Sequence, residues 1–289
     1  MASLSTNLTA FLIIAPIGIR RMVCSISLYL KNPSQYKSRI WYFSESKWRN
    51  FDFFTLLVLL PFASFSQLFF FLAFSGHPTF KFSFLNQSLV IFLFWVLLIL
   101  INFRGSLGKF DTNEGFLYVF AGIGFLVEYM MNGRGVIGVG GMVYGILGGL
   151  GVLCGGCCLY LGFFPKAFFA EFMLSAGLIL KATWVLQVGL SLYTDAFGFK
   201  GCDKVMILAG QGVTDVKCAL EEDKLRGMAL MNLVFIGHTI VVIVFSFVVF
   251  GVLHCNKRMR YGETSGPLLG EIGSERVQMM PTISEFEIE

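Results

Sequence analysis

The sequence predicts an all-α membrane protein, a polytopic bundle of about seven transmembrane helices. Hydrophobic residues make up 56% of the 289 residues and charged residues only 14%, whereas an average soluble domain has about 25% charged residues. The mean hydropathy of +0.74 leaves too little polar surface to cover a water-soluble globule. Composition therefore excludes a soluble enzyme, a secreted disulfide-rich miniprotein and a nucleic-acid-binding protein, and it makes the lipid bilayer the first expected partner.

Seven segments have the roughly 20 mostly apolar residues that a spanning helix needs. The second, third, fifth and seventh are the clearest, whereas Arg20 and Arg21 interrupt the first and the fourth is short. These runs lack the polar–apolar alternation of barrel strands, which favours helices. The predicted spans are residues 8–30, 53–74, 85–103, 115–131, 138–163, 168–193 and 228–253.

The Lys and Arg residues of the loops indicate the orientation, because cytoplasmic loops carry more of them. With seven spans, 12 of these residues lie on the side of the C-terminus and 7 on the other side. We therefore expect residues 1–255 to form the membrane domain, in the plasma membrane or the endomembrane system, with the N-terminus outside or lumenal. Residues 256–289 start with a basic stop and then become acidic, which predicts a disordered cytosolic tail.

The tail contains one candidate sorting signal. Leu268 and Leu269 follow Pro267, and Glu263 lies upstream. This pattern approximates an acidic dileucine signal, although the acid lies one place too far upstream, and a Leu–Leu pair in such a tail also occurs by chance. The tail is also where we expect protein partners to bind.

Three ionisable side chains stand out inside the predicted spans, where a charge is costly and suggests a function. Lys181 is the deepest, while Glu128 lies near the end of the fourth span and Glu171 near the start of the sixth. A lysine at this depth needs an acid, a water-filled cavity or a lowered pKa, and Glu128 is the best partner by depth. The group is either an ion, proton or ligand site, or a structural pair that joins two helices.

Trp184 and Gln187 follow Lys181 at steps of three, which places them on one stripe of the sixth helix. His238 in the seventh span is either a hydrogen-bonded helix contact or a proton shuttle. With Glu128, these residues form a candidate intramembrane polar site. The sequence contains no catalytic triad, HExxH motif or other metal-ligand spacing, so we expect no catalytic residue, no metal and no cofactor.

Glycines are concentrated in the fifth span, where residues 133–156 contain eleven of them. Gly141, Gly145 and Gly149 repeat at every fourth position. This spacing predicts a small-residue ridge that lets helix backbones approach closely. The alternative is a flexible helix that lines a substrate path.

Cys202 and Cys218 lie in the hydrophilic loop 194–227, on the side placed outside. In an oxidising compartment, a disulfide between them would close a loop of about 15 residues and contribute roughly 3 kcal/mol in the chain-entropy model. A loop this long needs some constraint. We expect the bridge to hold it as a lid over the outer mouth of the bundle, with the two Cα atoms within about 7 Å.

Four blocks of the sequence resemble the plant-type branch of the transmembrane protein 45 family, also known as domain of unknown function 716. The blocks are FLVEY at 125–129, GMVYGILGGL at 141–150, KATWVLQVGLSLY at 181–193 and CALEEDKLRG at 218–227. The likeness runs from about residue 10 to 255, and it implies a multi-pass protein whose molecular activity is not established. Animal members carry a histidine-rich stretch after the position of Glu128, whereas residues 132–134 here are Asn-Gly-Arg. Chemistry built on those histidines is therefore not implied for this chain.

Two functions fit these observations. The missing catalytic constellation and the acidic tail favour a non-catalytic membrane protein that acts through partners in trafficking, signalling or stress response. The alternative is a small-molecule or ion transporter whose polar site contains Glu128, Lys181 and Gln187. A water-filled cavity that reaches Lys181 would favour transport, and a dry contact between Glu128 and Lys181 would favour a structural role.

Overall fold

The computed structural model describes residues 4–43, 50–73, 78–106, 114–131, 138–194, 199, 201–206 and 214–262. This part of the chain contains seven α-helices, all long and apolar enough to cross a membrane, so the predicted fold class is confirmed. The elements in chain order are α1 (Leu4–Lys31), a 3₁₀ turn (Pro33–Gln35), α2 (Phe51–Ala73), α3 (Pro78–Ser106), α4 (Glu114–Met131), α5 (Val139–Phe163), α6 (Phe168–Tyr193), β1 (Cys202–Met206), β2 (Thr214–Cys218) and α7 (Glu221–Gly262).

Several helices extend beyond the apolar segments that predict them. α6 has the predicted bounds, but α3 begins at Pro78 and α7 begins at Glu221 and ends at Gly262. α7 therefore continues through residues 256–262, which the sequence assigns to the disordered tail. The reason is local, because Lys, Arg and Met favour helix and neither glycine nor proline occurs between Gly251 and Gly262.

α6 is the central helix of the bundle and packs against α1, α5 and α7. Most of its spanning window is buried inside the protein, whereas little of that of α7 is. α4 packs on α5, and the α2–α3 hairpin joins the bundle chiefly through contacts between α3 and α4. Most side chains of α6 are consequently enclosed by other helices, including the candidate site residues Lys181, Trp184 and Gln187.

The loop between α6 and α7 contains a short antiparallel hairpin that the sequence does not predict. Strand β1 pairs with β2 in a register that sets Cys202 opposite Cys218. Gly201 has a φ of +75° just before β1, a conformation that glycine adopts without steric cost. Val216 of the hairpin is buried together with Val139 at the start of α5. The hairpin thus covers the end of the bundle where α5 begins and α6 ends.

Candidate functional site

Lys181 forms an ion pair with Glu128 in the interior of the bundle. Lys181 lies in the middle of α6 and Glu128 near the end of α4, and Nζ is 2.5 Å from Oε2. The lysine side chain is 5% exposed and the glutamate side chain 19%. Phe125, one turn earlier on α4, places its ring 5.0 Å from Nζ and adds a cation–π contact. The acid chosen from the sequence by depth is thus the one that the lysine contacts.

The backbone of α5 covers this ion pair on one side. A Cβ atom added to Gly151 would lie 3.3 Å from the carbonyl oxygen of Phe125 and 3.9 Å from Nζ of Lys181. A larger side chain at this position would have to displace one of the two. The contact between Lys181 and Glu128 therefore depends on a glycine that lets α5 lie against α4.

The other residues of the candidate intramembrane polar site make separate contacts. Trp184 donates from Nε1 to the carbonyl oxygen of Val143 on α5 at 3.1 Å, and its ring centroid is 5.9 Å from that of His238 on α7. The His238 ring bonds within its own helix, with Nδ1 2.9 Å from the carbonyl oxygen of Val234. Gln187 donates to Ser191, one turn along α6, at 3.0 Å. The structure joins Lys181 to Glu128 of α4 and Trp184 to His238 of α7, as two separate contacts.

Glu171 occupies a second, more enclosed charged site. It lies in the first turn of α6, is fully buried, and pairs with Arg21 from α1. Nε of Arg21 is 2.8 Å from Oε1, and Nη2 donates to Oε2 at 3.0 Å. Tyr118 of α4 donates to Oε2 at 3.1 Å, and Tyr42, which precedes α2, donates to Oε1 at 3.2 Å. Burial raises the pKa of the Tyr42 hydroxyl, so this group stays a neutral donor.

Arg21 also holds the segment that follows α1. Nη1 donates to the carbonyl oxygen of Ile40 at 2.8 Å, and Nη2 donates to that of Arg39 at 3.3 Å and to the hydroxyl of Tyr118 at 2.7 Å. Together with Glu171, the guanidinium therefore ties α1, the segment between α1 and α2, α4 and α6 to one another. We name Arg21, Tyr42, Tyr118 and Glu171 the arginine network.

The arginine network is not predicted from the sequence. Arg21 interrupts the first predicted span, and hydropathy gives Glu171 no partner. Arg21 precedes and Glu171 follows a loop on the same predicted side of the membrane, which is a weak signal. Arg21 lies nine residues inside its predicted span and Glu171 only three, so depth alone does not pair them.

Arg20 has different partners from its neighbour, so each of the two consecutive arginines in the first span has its own acid. It forms an ion pair with Asp52 at the start of α2. It also donates to the carbonyl oxygen of Tyr42 at 2.6 Å and to the side chain of Asn50 at 3.1 Å. Its side chain is 24% exposed, so this pair lies nearer to solvent than the arginine network.

The glycine ridge is not where the sequence predicts it. Nothing lies within 4 Å of a Cβ atom added to Gly145 or Gly149, both of which are exposed, and Gly141 is half-buried. Other glycines of α5 make the close contacts with α4. A Cβ atom added to Gly148 would lie 2.9 Å from Tyr129, and one added to Gly162 would lie 2.9 Å from Val119. A Cβ atom added to Gly155 would lie 3.1 Å from the carbonyl oxygen of Gly122. The prediction is wrong because α5 carries glycines on several faces, and spacing alone does not reveal which face meets α4.

Cys202 and Cys218 form a disulfide, with an S–S distance of 2.02 Å and their Cα atoms 3.9 Å apart. The bridge joins opposite residues of the two strands at the end of the hairpin that adjoins α7. Both cysteines pack against the same apolar cluster as Val216. The hairpin therefore has the placement expected of a lid on this end of the bundle.

Two further sequence-based expectations concern other parts of the chain. Leu268 and Leu269 lie outside the described residues, as does the rest of the tail from residue 263 onward. Within the part of the chain that the structure describes, no three His, Cys, Asp or Glu side chains lie together as a metal ion would require.

A cavity of about 720 Å³ opens at the end of the bundle where α1 ends. Its walls come from the last turn of α1, residues 32–43, α3 and the first residue of α4. The lining includes basic, aromatic and aliphatic side chains. None of Glu128, Lys181, Trp184, Gln187 and His238 is among its lining residues.

A comparison with protein-family models gives a match to part of the chain. A family model described as "Family of unknown function (DUF716)" matches residues 114–251. This range runs from the start of α4 into α7, and it contains all four sequence blocks noted above together with Glu128, Lys181 and Glu171. No curated protein matches the chain.

Proposed function

We propose a function for this chain, which belongs to the transmembrane protein 45-like family of unknown function DUF716. The multi-pass membrane protein is non-catalytic and acts through protein partners. The processes that fit are trafficking, signalling and stress response. In this proposal, the helix bundle is a stable framework in the bilayer, and the acidic tail after α7 is the part that partners bind.

The observation that carries this proposal is the pairing of charges inside the bundle. Lys181 and Glu128 contact each other directly at 2.5 Å, and Arg21 and Glu171 are bound to each other and to two tyrosines. Charges that neutralise one another across helices hold those helices together. Such a core supports a framework rather than a pathway.

Flux in liposomes tests the proposal against the transporter alternative, in which Glu128, Lys181 and Gln187 line a pathway. Wild-type protein and Lys181→Met would be reconstituted at matched density, with Arg20→Met as a control for the loss of a different charge. We expect proton and small-ion flux equal to that of empty liposomes for all three. Robust flux in the wild type that is lost in Lys181→Met would disprove our proposal and favour the transporter. Robust turnover of any substrate would also disprove it and favour an enzyme.

The proposed orientation has the N-terminus outside or lumenal and the C-terminus in the cytosol. Two observations support it, namely the excess of Lys and Arg on the side of the C-terminus and a disulfide in the α6–α7 loop on the other side, since disulfides persist in oxidising compartments. The orientation can be measured with an epitope added after Glu289, whose accessibility to antibody is tested in selectively permeabilised cells. An epitope reached without permeabilisation would reverse the orientation.

We also propose that Leu268 and Leu269 direct the protein to its place in the plasma membrane or endomembrane system. The double substitution Leu268→Ala and Leu269→Ala should change the steady-state location of a fluorescent fusion. Substitution of the nearby Met279 and Met280 by alanine is the control, since it removes a similar apolar pair from the same tail. An unchanged location in the leucine variant would disprove the signal.

A further inference from the structure

We propose that the cavity beside the end of α1 binds an anionic phosphate group, and that the headgroup of a membrane phospholipid supplies it. Three cations line the cavity, namely Lys31 at the end of α1 and Lys37 and Arg39 in the segment that follows. All three are exposed. Among the described residues that line the cavity, Glu114 at the start of α4 is the one acid, so this described part of the lining has a net positive charge.

The walls of the cavity have the two characters that a phospholipid needs. Leu28 of α1 and Ile101 of α3 provide aliphatic surface, and Trp41 and Phe43 provide aromatic surface. A soluble phosphate would use only the basic part of the cavity. A phospholipid would place its phosphate near the cations and the start of its acyl chains along the apolar wall. The volume of about 720 Å³ lies within the range of roughly 300–1,000 Å³ typical of small-molecule sites.

The position of the cavity along the bundle is that of lipid headgroups. It lies where the apolar helix α1 ends, on the side that has the excess of Lys and Arg residues. Lys257, in the basic run of α7, donates to the carbonyl oxygen of Leu30, so the basic end of α7 also reaches this level. Basic pockets at the cytoplasmic ends of spanning helices are suited to anionic headgroups.

The segment that carries two of the cations is fixed in place before any ligand binds. The carbonyl oxygens of Arg39 and Ile40 accept hydrogen bonds from Arg21, and the backbone N–H of Ser38 donates to the carbonyl oxygen of Pro165 at 2.7 Å. The buried arginine network therefore holds the backbone while the side chains of Lys37 and Arg39 stay exposed. A preorganised site loses less conformational entropy on binding.

Binding to purified protein in neutral detergent micelles tests the inference. The probes are short-chain phosphatidylinositol bisphosphate, the matching free inositol phosphate, inorganic phosphate and short-chain phosphatidylcholine. We expect the anionic lipid to bind most tightly. Equal affinity for the free inositol phosphate would overturn the lipid as the source of the phosphate, and equal affinity for phosphatidylcholine would overturn recognition of the anionic group.

Three variants locate the site. The double substitution Lys37→Gln and Arg39→Gln should weaken binding of the anionic lipid about 25-fold, at about fivefold for each charge removed near the membrane surface. Lys166→Gln, which removes an exposed lysine at the same end but outside the cavity, should leave the affinity unchanged. Glu114→Gln should tighten binding about fivefold, a gain that misfolding does not produce. Equal affinity in the double variant and Lys166→Gln, or no gain in Glu114→Gln, would overturn the assignment.

Discussion

The two ion pairs inside the bundle differ in how completely their charges are compensated. Glu171 is fully buried, and it contacts Arg21 and accepts hydrogen bonds from Tyr42 and Tyr118. Glu128 meets Lys181 directly but keeps 19% of its side chain exposed. A buried carboxylate is costly unless its lone pairs are satisfied. The more deeply buried acid therefore has more hydrogen-bond donors around it. Breaking its ion pair should cost more free energy of unfolding than breaking the other pair.

The largest expected effect is that of Arg21→Met. It leaves Glu171 buried without a cation, and breaking a buried pair in this way costs about 3–5 kcal/mol. The free energy of unfolding in mixed micelles, obtained by titration with a denaturing detergent, measures the loss. Arg20→Met is the matched control, because Arg20 and Asp52 are partly exposed and such pairs contribute less than about 1 kcal/mol. Equal losses in the two variants would remove the distinction between buried and partly exposed pairs.

A second substitution in the same background sharpens the interpretation. Adding Glu171→Gln to Arg21→Met removes the uncompensated charge, so we expect part of the lost stability to return. If the double variant is less stable than Arg21→Met alone, the cost comes from lost packing rather than from the unpaired carboxylate.

Lys181→Met should destabilise the protein less than Arg21→Met. The acid that it leaves behind, Glu128, keeps 19% of its side chain exposed, whereas Glu171 is fully buried, so we expect a smaller loss of about 1–3 kcal/mol. The same detergent titration measures it. A loss as large as that of Arg21→Met would show that exposure of the remaining acid does not set the cost.

Gly151→Leu should disturb the Lys181–Glu128 pair without changing a charge. The new side chain must displace Phe125 or Lys181, and overpacking of this kind costs about 1–3 kcal/mol. Gly149→Leu is the control on the same helix, since a Cβ atom there meets nothing within 4 Å. Equal unfolding free energies for the two variants would mean that α5 does not press on the pair.

Tyr118→Phe should have the smallest effect of the series. It removes the hydrogen bond to Glu171 and the one accepted from Arg21, while the Arg21–Glu171 pair and Tyr42 remain, so we expect a loss of about 1–2 kcal/mol. Tyr160→Phe, at an exposed position on α5, should change the unfolding free energy little. A loss of several kcal/mol in Tyr118→Phe would mean that the tyrosine, rather than the arginine, is the main partner of the acid.

Much of the fold follows from the sequence because a spanning helix is a local property. About 20 apolar residues satisfy their own backbone hydrogen bonds in lipid, so α6 has the bounds that hydropathy predicts, residues 168–193. The pairing of Lys181 with Glu128 was also accessible, because depth in the membrane can be counted from the ends of each span. So was the pairing of Cys202 with Cys218, since both lie in one loop.

Tertiary structure decided the features that depend on how helices are rotated and placed around one another. Arg21 and Glu171 are 150 residues apart, and their contact requires α1 and α6 to be neighbours, which hydropathy does not encode. The contact face of α5 is set by the position of α4, so Gly148 and Gly155 pack closely while Gly145 and Gly149 face open space. Sequence determines which segments enter the membrane and what each charge needs, but only packing determines which partner satisfies it, because side-chain contacts between helices depend on azimuth as well as depth.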